Sequence, residues 1–160
     1  MKDLEGLFKH FLRDIYYAEN KVLNTLPTMA KEADAKELRD AFKEHHRETK
    51  GQIANLKKVF KTLDLKPRGV TCVAINGILE EGKEIMKECE DPDARDAGMI
   101  AAAQAVEHYE ITRYGTMIAW ARQLKMRDAA KLLKENLNQE YAADKKLSKL
   151  AESSLNRQAA

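Results

Sequence analysis

The chain has 160 residues, enough for one domain, and 44% of them are hydrophobic, enough to build a core. Its 28 basic and 26 acidic side chains leave a formal net charge of +2, which predicts neither nucleic-acid binding nor attachment to an anionic membrane. No apolar stretch is long enough to span a bilayer, and the sequence MKDLEGLFKH at the N-terminus has no signal-peptide pattern. Two isolated cysteines, Cys72 and Cys89, predict free thiols in a cytoplasmic protein.

Helix-forming residues dominate, and with only seven Gly and three Pro the sequence predicts an all-α fold. We expect long helices over about 3–33, 36–63, 93–124 and 128–152, a shorter helix over about 71–88, and a frayed tail from about 153. Pro27 falls inside the first helix and predicts either a kink or an interruption. Before the third long helix, Asp91 is suited to cap the helix and Pro92 to begin it.

The lengths of the connections predict how these helices are arranged. The first and second long helices, and the third and fourth, are joined by only a few residues, which makes them antiparallel neighbours. About 29 residues separate the second long helix from the third, enough to return the chain along the bundle. We therefore predict one domain over 1–160, a ferritin-like antiparallel four-helix bundle with a long crossover that carries the short extra helix.

Polar side chains interrupt the apolar stripe of each long helix near its middle. Such stripes repeat in steps of three and four residues and face the core. The interrupting residues, in chain order, are Glu19, His45 with Glu48 beside it, Glu107 and Glu110, and Glu140 and Asp144. When each hairpin is folded at its loop, these groups lie within about two helical turns in height. Several carboxylates and one imidazole would then converge inside the bundle.

Such a cluster of buried carboxylates requires positive charge, because burying an unpaired carboxylate is costly. No Lys or Arg lies on the stripes at this height, so the sequence itself offers no counter-charge. A pair of divalent or trivalent metal ions would supply it, since carboxylates with histidine hold two irons or manganeses in four-helix bundles. The absence of cysteine from the stripes argues against a thiolate zinc site.

Other polar residues near these stripes have two possible roles. Thr49, Gln52 and Gln104 either orient the ligands or are ordinary polar insertions. We expect Tyr114 to fill space, with the ordering of a ligand as the alternative. No role is assigned to the histidines that lie off the stripes or far from the acidic layer, which are His10, His46 and His108.

Five segments carry a resemblance to a known family. They read FLRDIYYAENKVLNTLPTMAKEA, AFKEHHRET, GILEEGKEI, AAAQAVEHYEITRYGT and AWARQL. Over about residues 4–151 they resemble the bacterial YciE/YciF proteins of the ferritin-like superfamily, and AVEHYEI is the most specific piece. The resemblance implies a four-helix bundle, a dimer, two bound irons and a stress-response role, in a family often labelled as ferroxidases. It implies metal ligands at Glu19, Glu107, Glu110, Glu140 and Asp144. The second helix has the order His45-x-x-Glu48, whereas the common ferritin-like pattern is Glu-x-x-His.

The predicted carboxylate cluster and the family resemblance lead to three functional hypotheses. The leading hypothesis is a di-iron carboxylate protein that reacts with dioxygen or peroxide, as a ferroxidase or peroxide scavenger in stress protection. The second is a structural or partner-binding bundle whose acidic layer holds a non-redox metal or none. The third is a manganese catalase-like enzyme. We also expect a homodimer, because Ile118 and Trp120 are predicted to lie on an apolar face near one end of the bundle.

Overall fold

Five helices account for most of residues 1–160, all of which the computed structural model describes. They are α1 (Leu4–Glu32), α2 (Lys36–Thr62), α3 (Val73–Glu88), α4 (Pro92–Gln123) and α5 (Arg127–Leu150). The predicted all-α fold of four long helices and one shorter helix is confirmed. None of the helices is both long and apolar enough to cross a membrane.

Side-chain caps explain where three of the helices begin. Asp3 Oδ1 accepts a hydrogen bond from the Gly6 amide at 2.7 Å, and Asp91 Oδ1 accepts one from Ala94 at 2.8 Å. At the start of α3, the sulfur of Cys72 takes this role. α1 continues through Pro27, so the predicted interruption is wrong. Pro27 is exposed, and water can therefore reach the carbonyl that the missing N–H leaves free.

The helices are arranged as two antiparallel hairpins joined by a crossover. α1 pairs with α2 and α4 pairs with α5, while α2 packs against α5 and α1 against α4. α4 begins beside the end of α1, where the Asp96 carboxylate accepts hydrogen bonds from the amides of Asp34 at 2.9 Å and Ala35 at 2.7 Å. α3 returns the chain to that end and packs against α1 and α4. This is the predicted ferritin-like order.

The C-terminal tail differs from the prediction of a frayed end. Residues 151–155 form a π-helical turn, and a three-residue helix, α6 (Asn156–Gln158), follows it. Ala151 and Leu155 are buried in the same hydrophobic core as the bundle helices. The tail is ordered because these two apolar side chains pack against the rest of the chain, with α4 among its neighbours.

The side chains predicted to form a dimerising face pack within the chain itself, and Trp120 is only half-buried. Ile118 is buried, and the Trp120 ring packs edge-on against the Phe11 ring with centroids 5.0 Å apart. The two residues therefore join α4 to the core and to α1. The homodimer stays a prediction without this support.

Candidate metal centre

Four buried side chains from three helices converge inside the bundle. His45 of α2, Glu107 and Glu110 of α4, and Glu140 of α5 each offer a ligand atom, and these atoms lie within 4.8 Å of one another. His45 Nε2 is 3.1 Å from Glu107 Oε1. The three glutamates are at most 2% exposed, and His45 is 7% exposed. We call these four residues the acidic cluster.

Glu19 of α1 lies beside the acidic cluster and brings the fourth long helix to it. The side chain is fully buried, and its carboxylate interacts electrostatically with His45 and Glu107. One oxygen, Oε1, accepts a hydrogen bond from the Tyr114 hydroxyl. The other, Oε2, has no partner in the protein. All four long helices thus contribute a polar group at one level, as their interrupted stripes predict.

Glu48 and Asp144, the other two predicted ligands, lie at the edge of the acidic cluster. Glu48 is 34% exposed, and its Oε2 is 3.5 Å from Nδ1 of His45, the ring nitrogen away from Glu107. Asp144 Oδ1 accepts a hydrogen bond from Gln104 at 2.9 Å and lies 3.2 Å from His108 Nε2. The structure therefore brings five of the seven predicted residues together and leaves these two outside.

Most carboxylate oxygens of the acidic cluster have no hydrogen-bond donor. Both oxygens of Glu110, both oxygens of Glu140 and Oε2 of Glu107 are buried without a hydrogen-bond partner. Each unpaired buried acceptor costs about 1–3 kcal/mol, and more when it is charged. Native proteins contain few such atoms, and several at one place call for a bound group that the side chains themselves do not provide. A cation among these oxygens would satisfy them.

Burial also changes the protonation of the carboxyl groups. It raises the pKa of Glu19 to about 7, although the hydrogen bond from Tyr114 acts in the opposite direction. Burial, followed by repulsion from neighbouring carboxylates, raises the pKa of Glu110 and of Glu140 well above the usual range for glutamate. Without a cation, these groups therefore keep their protons to higher pH than an exposed glutamate does.

The pKa of His45 is set by two opposing effects. Burial alone would lower it, because desolvation disfavours the imidazolium. The carboxylates of Glu107, Glu48 and Glu110 reverse this effect and raise the pKa well above its ordinary value. His45 is therefore the one positive charge of the cluster in the absence of metal, and it must lose a proton before its Nε2 can bind an ion.

A buried hydrogen-bond network beside the acidic cluster supports Glu19. Tyr114 is fully buried, and its hydroxyl donates to Glu19. Asn136 Nδ2 in turn donates to the Tyr114 oxygen at 3.1 Å and to the backbone carbonyl of Gln52 at 3.2 Å. Tyr114 thus orders an acid, contrary to our expectation that it fills space. Sequence reasoning missed Asn136, although it lies four residues before Glu140 and hence on the same face of α5.

The remaining polar residues of the stripes divide into three cases. The Thr49 hydroxyl donates to the backbone carbonyl of His45 at 2.9 Å, so it does not orient a ligand side chain. The Gln104 amide holds Asp144 and also donates to Ser148 at 2.9 Å. Gln52 is fully buried, and neither its amide nitrogen nor its amide oxygen has a partner.

Comparisons with known proteins identify relatives along the whole chain. Residues 3–160 match the family described as Domain of unknown function (DUF892). Protein YciF of Escherichia coli (strain K12) is 44% identical over 160 residues, which cover 99% of this chain and 96% of YciF.

Solved structures agree with this assignment. The crystal structure of the E. coli stress protein YciF matches with a TM-score of 0.93 at 44% identity and covers 98% of this chain and 99% of that one. YcfI from Rhodopseudomonas palustris matches with a TM-score of 0.91 at 47% identity, covering 92% and 94%. A protein from Xanthomonas campestris pv. campestris, at 21% identity and a TM-score of 0.72, shares the fold. The chain therefore belongs to the YciF family of helical proteins, the family described as DUF892.

Proposed function

We propose that this protein is a di-iron carboxylate protein that binds two irons inside its bundle and reacts with dioxygen or peroxide, as a ferroxidase or peroxide scavenger. The observation that carries the proposal is the acidic cluster itself. Five of its six carboxylate oxygens are buried without a hydrogen-bond donor, and its ligand atoms lie within 4.8 Å of one another. Side chains that only stabilise a core would not leave so many acceptors unpaired in one place.

The donor set suits a pair of iron ions. His45, Glu107, Glu110 and Glu140 would hold them, with Glu19 as the ligand from α1. Four carboxylates carry four negative charges, which balance two divalent ions, and oxygen with imidazole ligands favours iron or manganese over metals that prefer thiolates. When bound, the irons would supply the electrons that reduce dioxygen or peroxide. Glu48 and Asp144 are proposed as supporting residues at the edge.

The chain's own residues prepare this site in two ways. The Tyr114 hydroxyl engages one oxygen of Glu19, which leaves the other free to face a cation. Glu48 lies 3.5 Å from Nδ1 of His45, where it can keep the ring oriented so that Nε2 faces Glu107. The protons held by Glu110 and Glu140 would be displaced when a cation binds, so binding should release protons and strengthen as the pH rises.

The names of the relatives support the proposed stress role, and the two free thiols support the proposed compartment. The E. coli relative is called a stress protein, which favours a stress-response role here as well. Both Cys72 and Cys89 are free, in keeping with a reducing compartment such as the cytoplasm. The homodimer remains part of the proposal on the basis of family resemblance.

A structural role is the second candidate, because the name of the R. palustris relative YcfI proposes one. In that case the acidic cluster would hold a metal that does not change oxidation state, or no metal. A manganese catalase-like enzyme is the third, since the ligand set accepts manganese as well as iron. Oxygen consumption and metal content separate the three.

The decisive experiment is an anaerobic titration of the metal-free protein with Fe(II), followed by a pulse of oxygen. We expect two irons per chain and rapid oxidation, followed by absorbance and oxygen uptake. Glu110→Gln should lose this stoichiometry, whereas Glu37→Gln on the exposed face of α2 should keep it. Failure of the wild-type protein to bind iron would contradict the proposal, and binding without oxidation would favour a structural site. Peroxide disproportionation by the manganese-loaded protein tests the third candidate.

A further inference from the structure

A pocket of about 100 Å³ lies directly against the acidic cluster. His45, Glu48 and Glu107 form its polar side, and all five bundle helices contribute to its wall. The pocket occupies the half of the bundle in which α1 ends and α2 begins. It is therefore a cavity that touches the proposed ligands from one side only.

Most of the pocket wall is apolar. Eleven of the seventeen lining residues are hydrophobic, and they include Leu26, Phe42, Ala103, Val106 and Leu147. Such a wall disfavours a hydrated metal ion, which would lose water without gaining ligands. The pocket is thus poorly suited to the passage of iron.

Three polar side chains of the wall already have partners. Glu44 and Lys146 form an ion pair with each other. The Thr25 hydroxyl donates to the backbone carbonyl of Lys21 at 3.0 Å. These groups therefore offer little to a polar ligand, and contact with the apolar wall is the main favourable interaction available.

We propose that this pocket binds a small apolar organic molecule, a short alkyl chain or a single ring, against the His45–Glu107 side of the acidic cluster. The pocket is smaller than the apolar cavity of about 150 Å³ that accommodates benzene, but it opens to the surface, so a small ligand can extend beyond its enclosed part. The role of the molecule as a reactant rests on the proposed di-iron function. The binding of the molecule does not depend on the di-iron function, because the pocket wall is formed by the protein alone.

Benzene is the probe for a test on the full-length, metal-free protein by methyl NMR. Saturable shifts are expected for the methyl groups of Leu26, Val106 and Leu147, which line the pocket. Ala103→Leu places three more carbons in the pocket and should raise the Kd for benzene at least about tenfold. Ala101→Leu makes the same change on the exposed face of α4 and should leave the Kd unchanged.

Ala143→Leu fills the pocket from α5 and guards against misfolding of the first variant. Both filling variants should retain the wild-type helical circular dichroism and bind benzene at least about tenfold more weakly. Shifts that do not saturate, or that spread equally to Leu133 outside the pocket, would overturn the proposal. So would binding of xenon without benzene, which would identify a route for gases such as dioxygen.

The iron titration described above is a separate measurement. If two irons bind and oxidise but benzene causes no saturable shift, the pocket proposal fails and the di-iron proposal stands. If benzene binds and iron does not, the apolar site stands and its role as the site of a reactant falls.

Discussion

Two acid–tyrosine pairs join α1 to α4, and they differ in whether an arginine lies beside the acid. In the first pair, the Tyr109 hydroxyl donates to Asp14 at 2.6 Å, and the Arg113 guanidinium lies 3.7 Å from the same carboxylate. In the second pair, Tyr114 donates to Glu19, with no Lys or Arg among the groups that act on this carboxylate.

Asp14 is a structural acid, whereas Glu19 has the features of an acid that binds a ligand. Asp14 has both a hydrogen bond and a cation from its own chain, so its negative charge is already compensated within the protein. Glu19 is fully buried and keeps a free oxygen, and the one positive group near it, His45, is shared with the other carboxylates of the acidic cluster. A tyrosine partner alone therefore does not distinguish the two cases, whereas the source of positive charge does.

The largest effect is expected on iron binding. Glu107→Ala removes a carboxylate from the acidic cluster and should abolish binding of the iron pair, because the remaining ligands no longer balance or enclose two ions. Asp14→Ala removes the acid of the completed pair and should leave two irons per chain. Iron content after anaerobic loading and desalting measures both variants. Two irons retained by Glu107→Ala would show that the acidic cluster is not the iron site.

The next effect is the pH dependence of the metal-free protein. The pKa of Glu19 is raised from 4.5 to about 7 by burial, so the folded state holds a proton that the unfolded state has lost between these pH values. The free energy of unfolding should therefore fall as pH rises through this window, with roughly 3 kcal/mol from Glu19 alone. The raised pKa of His45 acts in the same direction at higher pH.

Urea unfolding with a chelator at several pH values measures this slope. Glu19→Gln should make it shallower between pH 4.5 and about 7, because the amide does not titrate, whereas Glu110 and Glu140, whose pKa values are also raised, keep their share of the slope. Glu37→Gln, an exposed glutamate on α2, should keep the wild-type slope. Identical slopes for the wild type and Glu19→Gln would mean that Glu19 is not responsible for the dependence.

The tyrosines of the two pairs should also differ in their effect on iron binding. Tyr114→Phe removes the hydrogen bond to Glu19 and one of the two acceptors of the Asn136 amide, and it should lower the free energy of unfolding by about 1–3 kcal/mol. It should also weaken iron binding roughly 10–100-fold, the effect typical of residues that orient ligands. Tyr109→Phe is the matched variant, and it should leave iron affinity unchanged. Equal losses of iron affinity in both variants would contradict the distinction between the two pairs.

The smallest effect concerns two buried amides of the same region. Gln52 has no side-chain partner, so Gln52→Met should raise the free energy of unfolding of the metal-free protein by about 1 kcal/mol. Asn136 has donors and acceptors in place, and Asn136→Leu should destabilise the protein instead. Thermal or urea unfolding measures both. A loss of stability in Gln52→Met would indicate a packing role that its hydrogen bonding does not reveal.

Much of the fold and part of the site were predictable from local patterns. Helix caps at Asp3 and Asp91, the scarcity of glycine and proline, and the spacing of apolar residues all act within one or two turns of chain. The same spacing placed Glu19, Glu107 and Glu140 on inward-facing stripes. Their burial follows from that placement, because the central positions of a core-facing stripe are covered by the neighbouring helices.

Side-chain direction was less predictable. Asp144 follows Glu140 by four residues, a step that turns about 40° beyond a full helical turn and moves its carboxylate toward Gln104 and His108 at the edge. Burial of the tail at Leu155 likewise depends on a groove formed by other helices. Neither result is encoded in a local repeat.

The helices, their order in the bundle and the level at which acids interrupt the core therefore follow from local sequence, because they depend on periodicity and connection length. Packing between helices sets which acids meet, that Tyr114 and Asn136 support Glu19, and that an apolar pocket adjoins His45. These outcomes depend on the rotation of each helix about its axis and on contacts between residues far apart in the chain. Angles of a few tens of degrees separate a buried ligand from a solvated edge residue, and packing against neighbouring helices sets them.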